Sequence, residues 1–353
     1  MREFDLDWQR RKHAAGWGAI SWPTAYGGAG LSLVQQMIWF EEAARADAPG
    51  LGSLNVALTH AGPTLIEFGS EAQKAFHLPQ ILGGELIWCQ GFSEPGAGSD
   101  LAALKTRAVI DGEDLVVTGQ KIWTSHAQHA TYQEMLVRTD PAAGRHRGIS
   151  WVICDMRSPG ITIRPIDTLA GDQHYCEVFY DEVRIPGANV VGELHGGWRV
   201  AMGTLTAERA GMAASQAFEA ARAVERLCEL ARARTDAAGR PMIRNEAIAS
   251  RLIEHRAEAA ALCAMVYATV SRAGRNESAG PESAMSALYF GELLQRLRAT
   301  AIDLLGAEAA ELDGEGDWTR KFLFDRMYVI AGGTAEIRRN IIAERILGLP
   351  RSY

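Results

Sequence analysis

The sequence predicts an α+β fold in three parts: an N-terminal helical domain at residues 1–85, a middle antiparallel β domain at 86–190 and a C-terminal helical bundle at 191–353. Hydrophobic residues make up 47% and charged residues 22% of the 353 residues, which is typical of a globular chain with a sizeable core. The spacing of apolar residues changes from helical to alternating and back to helical along the chain.

The segment Leu33 to Ala46 carries the helical pattern of the first part. Its apolar residues recur at close to helical spacing, at Val34, Met37, Ile38, Phe40 and Ala43. Loops rich in Gly and Pro, at 23–30 and 47–52, flank this predicted helix.

Short runs rich in β-branched and aromatic residues mark the middle part as a β domain. These runs read LVVTGQKIW, RGISWVICDM, GITIRPI and CEVFYDEVRIP, and Gly, Asp and Pro separate them. No strand leads into a helix that opens on GxGxxG, so a dinucleotide-binding βαβ fold is not predicted.

The third part predicts long helices joined by short links. We expect them at about 198–233, 242–273, 282–308, 317–330 and 334–347. Gly and Pro interrupt the pattern at 239–241, 274–281 and 314–316. Long Ala-rich helices with short connections are typical of a helical bundle.

Charge and cysteine usage exclude several classes of protein. The net charge of −7 argues against a general nucleic-acid binder. The five cysteines are scattered, with no metal-ligand spacing, which predicts reduced thiols, no metal site and a cytoplasmic protein. The longest uncharged apolar stretch, Ala259 to Val270, is too short to span a bilayer, and the N-terminus has no apolar signal core.

Two segments of the middle part carry the chemical signal. Gln90 to Asp100 reads QGFSEPGAGSD, in which the glycines permit positive φ and the turned backbone can hold an anion. Gly119 to Ser125 reads GQKIWTS and places a Trp before two hydroxyl residues. Taken singly, the first could be a surface turn and the second could hold an ordinary core Trp.

Together the two segments resemble the flavin-contacting signatures of the acyl-CoA dehydrogenase family. The C-terminal stretch Ala331 to Arg351 is similar to the family's C-terminal signature, and EVFYDEVRIP at 177–186 matches a further landmark. The motifs occur in the family's order over nearly the whole chain. The resemblance implies an N-terminal α domain, here shortened at its start, a middle β domain and a C-terminal four-helix bundle.

The resemblance also implies a bound FAD and a set of residues that hold it. The residues implied in cofactor binding are Phe92, Ser93, Ser99, Trp123, Thr124, Ser125, Arg234, Gly306, Thr334 and Glu336. Those implied in binding the acyl-CoA substrate are Ser99, Leu205, Arg209, Gly332 and Gly333. The family reaction removes an α-proton and a β-hydride from an acyl-CoA thioester, so a carboxylate base is required.

The position of this base departs from the common family pattern. Many members carry a Glu two residues before the Thr of the C-terminal signature, where this chain has Gly332. In the isovaleryl-CoA and long-chain branches the Glu lies on an early bundle helix, within Leu-x-x-Glu-Arg. The segment from Leu205 to Arg209 matches that pattern, so the resemblance implies Glu208 as the base. A solvated Glu–Arg pair is the alternative interpretation of the same residues.

Two other functions fit the same resemblance. The first is a catalytically silent or half-site subunit of a heteromeric acyl-CoA dehydrogenase. It is favoured by the altered segment that begins at Arg234 and by Asp303 to Ala307, which replaces the family's Gln-x-x-Gly-Gly. The second is an oxygen-using flavin oxidase or monooxygenase of the same fold. The family further implies a homo- or hetero-tetramer and an electron-transferring flavoprotein as electron acceptor.

Overall fold

The computed structural model describes residues 2–273, 282–312, 314 and 317–351, and the side chains at 208–211 lie outside that description. The helices are α1 Arg2–Ala14, α2 Leu33–Arg45, α3 Gly62–Phe68, α4 Glu71–Leu82, α5 Gly197–Ala233, α6 Glu246–Ala273, α7 Glu282–Leu305, α8 Trp318–Phe324 and α9 Ala335–Arg345. The strands are β1 Trp88–Gly91, β2 Arg107–Asp111, β3 Asp114–Ser125, β4 Tyr132–Arg138, β5 Ile149–Asp155, β6 Ile161–Ile166, β7 Tyr175–Pro186 and β8 Val190–Val191.

These bounds confirm the helix–sheet–helix order and correct some of the detail. The helix predicted at 33–46 is α2. Its N-terminus has a capping box formed by Ser32 and Gln35. The helix predicted at 317–330 changes to a 3₁₀ helix after Phe324. The β domain is not wholly antiparallel, because β4 pairs in parallel with both β1 and β2.

The described residues group into two compact units that cut across the predicted domain bounds. The first unit comprises residues 1–31, 49–168 and 172–208. The second comprises 32–48, 169–171 and 209–353. Helix α2 therefore groups with the bundle and not with the other N-terminal helices. The domain limits at 85 and 190 stay a prediction.

The first unit contains the sheet, whose described strands run in the order β6-β7-β3-β2-β4-β5-β8, with β1 beside β4. One core joins α3, α4 and the start of α5 to one face of this sheet, around Trp22, Trp88 and Trp151. A second core lies among the strands themselves, around Met135 and Val178. Fully buried side chains of this size contribute much of the driving force for folding.

The second unit packs the rest of α5 with α6, α7, α8, α9 and α2. Its core contains Phe290, Leu297 and Trp318 from the last part of the chain, and Met37 from α2. The buried Arg298 guanidinium donates to Asp325 over 2.7 Å, joining α7 to the segment after α8.

No helix in the described part of the chain is long and apolar enough to cross a membrane. Within the same residues no cluster of His, Cys, Asp and Glu could hold a metal ion. All five cysteines are free thiols.

Candidate active site

The two segments that carry the family signatures are fastened to each other in the first unit. The buried ammonium of Lys121 donates to Glu94 Oε1 over 2.8 Å and to the Phe92 carbonyl over 3.0 Å. The backbone N–H of Ile122 donates to the Ser93 carbonyl over 3.0 Å. A charged pair that is buried on both sides is strong when every donor and acceptor is satisfied. The glycine loop (Gln90 to Asp100) and β3, which ends in Trp-Thr-Ser, are thus held together as one rigid unit of structure.

Glu94 also organises the chain that follows the glycine loop. Its carboxylate accepts from the backbone N–H groups of Lys105, over 2.6 Å, and Thr106, over 2.9 Å. Burial alone would raise the pKa of Glu94. The Lys121 charge and these hydrogen bonds lower it by more than burial raises it, so the pKa lies below its usual range. Burial lowers the pKa of Lys121 to about 8 against the opposing effect of Glu94.

A bulge in β3 turns Trp123 outward. The register between β3 and β7 shifts between Lys121 and Thr124, and Trp123 adopts a positive φ of 61°. A bulge re-aims side chains, and a positive φ is rare for a bulky residue. The indole is 59% exposed, with the ring of Tyr175 edge-on at 6.0 Å. The strand therefore presents a flat aromatic surface at the cost of local strain.

The two hydroxyl residues after Trp123 have different surroundings. Thr124 is fully buried, and its hydroxyl has no hydrogen-bond partner. Ser125 is half-buried and lies opposite Tyr175 in the sheet. A buried hydroxyl without a partner is costly in a protein, so it marks a place where a further polar group fits.

Two histidines flank the paired ends of β3 and β7, since His126 directly follows β3 and His174 directly precedes β7. His126 has a φ of 58°, and its ring packs against that of His174 with centroids 4.3 Å apart. Burial, followed by the charges of His174 and His129, lowers the pKa of His126 to about 4. Burial also lowers the pKa of His174. Both rings are therefore neutral near pH 7, and the sequence did not single them out for a catalytic role.

The glycine loop borders a cleft of about 260 Å³. It is lined by Glu94, Pro95, Gly96, Ala103, Lys105, Thr106, Gly119 and Gln120. A Cβ at Gly119 would collide with Thr106, so this position requires glycine. Ser99 is exposed on the same loop, beyond the residues that the ion pair fastens.

The first turns of α5 belong to the same unit. The Thr204 hydroxyl hydrogen-bonds that of Thr64 over 2.8 Å, and both residues are buried. Leu205 is partly buried against the first core. Helix α5 continues through position 208, but the side chains of Glu208 and Arg209 lie outside the described residues.

The remaining predicted residues lie in the second unit. Arg234 forms an ion pair with Glu308, which follows Gly306 by two positions. Thr334 caps α9 by accepting from the N–H of Ile337 over 3.3 Å. Hydrogen bonds from its own N–H and from Thr334 lower the pKa of Glu336, as expected for an acid at a helix start.

Arg338 is a residue of this region that the sequence reasoning missed. Its buried guanidinium donates to the carbonyls of Ala287, Tyr328 and Ala331. These bonds hold the turn that contains Gly332 and Gly333, both of which have positive φ values. The sequence alone could not single out Arg338, because the helix start AEIRRN contains two adjacent arginines and does not show that Arg338 is buried whereas Arg339 is exposed.

Several side chains of the first unit are suited to binding a flavin. The exposed indole of Trp123 offers a stacking surface, and the half-buried Ser125 offers a hydroxyl beside it. The unpartnered hydroxyl of Thr124 offers a further polar atom. The backbone carbonyls of Phe92 and Ser93 accept hydrogen bonds from this strand, at Lys121 and Ile122. A planar ring system with polar edges suits this arrangement of groups.

Comparison with known proteins identifies the class. Three family models match: acyl-CoA dehydrogenase N-terminal domain at residues 1–85, middle domain at 89–183 and C-terminal domain at 195–347. The chain is 41% identical over 347 residues to acyl-CoA dehydrogenase IpdE1 of Mycobacterium tuberculosis, covering 98% of this chain and 88% of that protein. It is 37% identical to acyl-CoA dehydrogenase FadE26 of the same organism, over 96% and 86% of the two chains.

Solved structures agree with the sequence relatives. The Tcur3481-Tcur3483 steroid ACAD superposes with a TM-score of 0.89 at 32% identity, over 99% of this chain and 90% of that chain. The ChsE4-ChsE5 complex from Mycobacterium tuberculosis superposes with a TM-score of 0.86 at 35% identity, over the same shares.

The chain belongs to the acyl-CoA dehydrogenase family. It is accordingly a flavoprotein oxidoreductase of lipid metabolism, with FAD as its cofactor, as the sequence resemblance implied.

Proposed function

We propose that this chain catalyses the α,β-dehydrogenation of an acyl-CoA thioester, with Glu208 as the base that takes the α-proton. FAD, when bound, supplies the acceptor for the hydride that leaves the β-carbon. The observation that carries the proposal is the pair of interlocked segments, joined by Lys121 and Glu94, that presents Trp123 and Ser125 side by side.

The start of α5 supports the choice of base. Buried Thr204 fixes this helix through its hydrogen bond to Thr64, one turn before position 208. The turn at Gly332 and Gly333 carries no acidic side chain in place of the common family base. Among the acids that the family pattern offers, Glu208 therefore remains, while Glu336 is engaged in the start of α9.

We infer that the acyl group is bulky and ring-bearing. The structural relative of 32% identity is named a steroid ACAD, which suggests this substrate class. Gly332 and Gly333 leave space where other members carry a larger side chain. A panel of acyl-CoA substrates tests this: higher kcat/KM for polycyclic acyl groups than for short linear ones is expected, and the reverse order would contradict it.

We further propose a heteromeric assembly that passes electrons to an electron-transferring flavoprotein. The names of two structural relatives, Tcur3481-Tcur3483 and ChsE4-ChsE5, each join two different chains. Arg234, whose family counterpart reaches a neighbouring subunit's cofactor, is engaged here by Glu308. Co-expression with a homologous chain followed by light scattering should give a complex containing both chains. A cytoplasmic location stays a prediction from composition.

The assignment of the base is tested by Glu208→Gln. The variant should retain FAD, seen in its visible spectrum, and should lose flavin reduction by acyl-CoA about 100- to 10,000-fold. Glu229→Gln, on the same helix in an exposed ion pair, is the matched control and should reduce its flavin normally. Normal reduction in Glu208→Gln would contradict the proposal.

A silent or half-site subunit is the second candidate, and the pairing of Arg234 with Glu308 favours it. Under this alternative the complex would keep full activity with Glu208→Gln and would lose activity when the companion chain's own acids are changed. Measuring the activity of one complex with Glu208→Gln, and again with the companion chain's acids changed, shows which of the two chains carries the base.

A further inference from the structure

A row of four aromatic rings lies where β3 ends beside the start of β7. The indole of Trp123 meets the ring of Tyr175 edge-on, with centroids 6.0 Å apart and ring planes at 85°. Tyr175 in turn contacts His174 at 4.6 Å, and His174 contacts His126 at 4.3 Å. Trp123 is 59% exposed, whereas the other three rings are partly buried. The row therefore runs from a shielded end to the exposed indole.

Strand register places the two larger rings on one face of the sheet. Ser125 and Tyr175 are directly opposite each other, so their side chains leave the same face. Thr124 lies opposite Cys176, and both of these side chains are buried on the other face. The bulge before Thr124 brings Trp123 to the face that carries Tyr175. The indole, the phenol and the hydroxyl of Ser125 therefore share one surface.

Three hydrogen bonds fix the backbone at the start of β7. The N–H of His126 donates to the His174 carbonyl over 2.9 Å. The side-chain amide of Gln128 donates to the Gln173 carbonyl over 2.7 Å, and the Cys176 thiol donates to the Gln128 side-chain oxygen over 2.9 Å. These bonds join the start of β7 to the segment that follows β3. The phenol ring in this stretch is therefore attached to a well-supported backbone.

The backbone of Trp123 gives its indole less support. Its φ of 61° is rare for a bulky residue, and most of the ring is exposed. An exposed side chain samples several rotamers, and fixing it in one of them when a ligand binds costs free energy. The edge-on ring of Tyr175 limits the rotation of the indole on one side. Such T-shaped pairs are favourable beyond the area that they bury.

The contact between the two rings is a packing contact. Burial raises the pKa of Tyr175 to about 12, so the phenol is uncharged near pH 7. The neighbouring His174 is uncharged there as well, because burial lowers its pKa. Removing the hydroxyl while keeping the ring should therefore preserve the contact, whereas removing the ring should abolish it.

We propose that Tyr175 is a positioning residue for Trp123, whose indole its ring holds ready for a planar cofactor to stack on it. The inference rests on the proposed function, in which Trp123 and Ser125 form the flavin surface. Because the indole is already ordered, FAD loses less affinity to ordering it on binding. His174 and His126 support the phenol ring in turn.

The test is a double-mutant cycle on the Kd for FAD. It is measured by titrating the protein after removal of its flavin, together with a companion subunit if FAD binding requires one. Tyr175→Leu should raise the Kd about 3- to 10-fold, the effect of one aromatic pair. Tyr175→Phe keeps the ring and should stay within about twofold of the wild type. In the Trp123→Ala background, Tyr175→Leu should add less than about twofold, because no indole is left to position.

A spectroscopic signature separates positioning from a general structural role. The visible circular dichroism of a bound flavin depends on the arrangement of the aromatic groups around it. It should therefore change in Tyr175→Leu and be restored in Tyr175→Phe. Tyr175→Val, whose β-branched side chain suits a strand, decides the matter if Tyr175→Leu fails to fold.

Tyr267→Leu is the matched control. Tyr267 forms a similar edge-on pair with Phe218, with centroids 5.9 Å apart, but belongs to the second unit. Its loss should cost stability through the lost ring contact, while the Kd for FAD and the flavin dichroism should stay as in the wild type.

Unchanged FAD affinity and flavin dichroism in the variant without the ring at position 175 would overturn the inference. An equally large effect of Tyr175→Leu in the Trp123→Ala background would also overturn it, since Tyr175 would then act without the indole. If Trp123→Ala alone binds FAD like the wild type, the flavin surface is wrong and the inference fails with it. The choice of base fails separately, when Glu208→Gln reduces its flavin normally.

Discussion

Lys121 Nζ lies 2.8 Å from Glu94 Oε1 in the interior of the β domain, and the same ammonium holds the carbonyl of Phe92. The pair joins two segments that are 27 positions apart in the chain. The glycine loop thereby acquires a fixed position without a core of its own. This buried ion pair and the bond from the Ile122 N–H to the Ser93 carbonyl together fix the strand that carries Trp123 against the glycine loop.

Breaking the pair should destabilise the fold and release the cofactor. Lys121→Met leaves the Glu94 carboxylate buried without its cation, so the free energy of unfolding should fall by about 3–5 kcal/mol. Urea unfolding and the visible flavin spectrum measure both effects. Adding Glu94→Gln should recover part of the loss. Arg11→Met breaks an exposed pair with Asp7 and serves as the control, which should unfold like the wild type.

Trp123 should matter for FAD and little for folding. Trp123→Ala removes an exposed indole, so we expect weaker FAD binding with a small change in stability. Trp123→Gly should be more stable than Trp123→Ala, because glycine accepts the φ of 61° without strain. Flavin titration and thermal unfolding test this pair. The exposed Trp17→Ala is the control, and equal FAD loss there would contradict a specific role for Trp123.

Acid should destabilise the protein through His126. Burial and the neighbouring histidines lower its folded-state pKa from 6.5 to about 4, so the unfolded chain binds the proton more readily between these values. The free energy of unfolding should therefore fall as the pH falls from about 6.5 to about 4, by up to about 3 kcal/mol from this group. His126→Asn, which tolerates the positive φ, should flatten this slope.

Arg338 should be essential to the turn before α9. Arg338→Leu leaves three carbonyls without their donor, and we expect the free energy of unfolding to fall by about 2–4 kcal/mol. Arg339→Leu is the matched control at the next position, since its partner Glu292 forms only a surface contact. Equal unfolding midpoints for the two variants would contradict the role of Arg338.

Local patterns in the sequence predicted what local forces determine. Helix α2 has a capping box and apolar periodicity, and both operate within a few residues. Its membership in the second unit depends on Met37 joining a core formed by distant residues, which no local pattern contains. The parallel pairing of β1 with β4 is likewise a long-range contact, so the antiparallel pattern that the sequence predicts holds for most strand pairs but not for this one.

The candidate site was predictable to a different degree. The QGFSEPGAGSD and GQKIWTS segments stood out by their unusual composition, and the structure joins them. The ion pair behind them could have been suspected, because GQKIWTS carries Lys121 and QGFSEPGAGSD carries Glu94, which have opposite charges. The bulge that exposes Trp123 and the contact of its indole with Tyr175 could not, since both depend on the register between β3 and β7.

The buried thiols can report on local unfolding in the wild type and in each of these variants. Cys89, Cys154, Cys176 and Cys228 are buried, and burial raises the pKa of Cys154 to about 12. Alkylating reagents attack thiolates, so these sulfurs should stay unmodified until the chain opens around them. Timed alkylation followed by mass spectrometry would therefore record which core gives way first, without any engineered label.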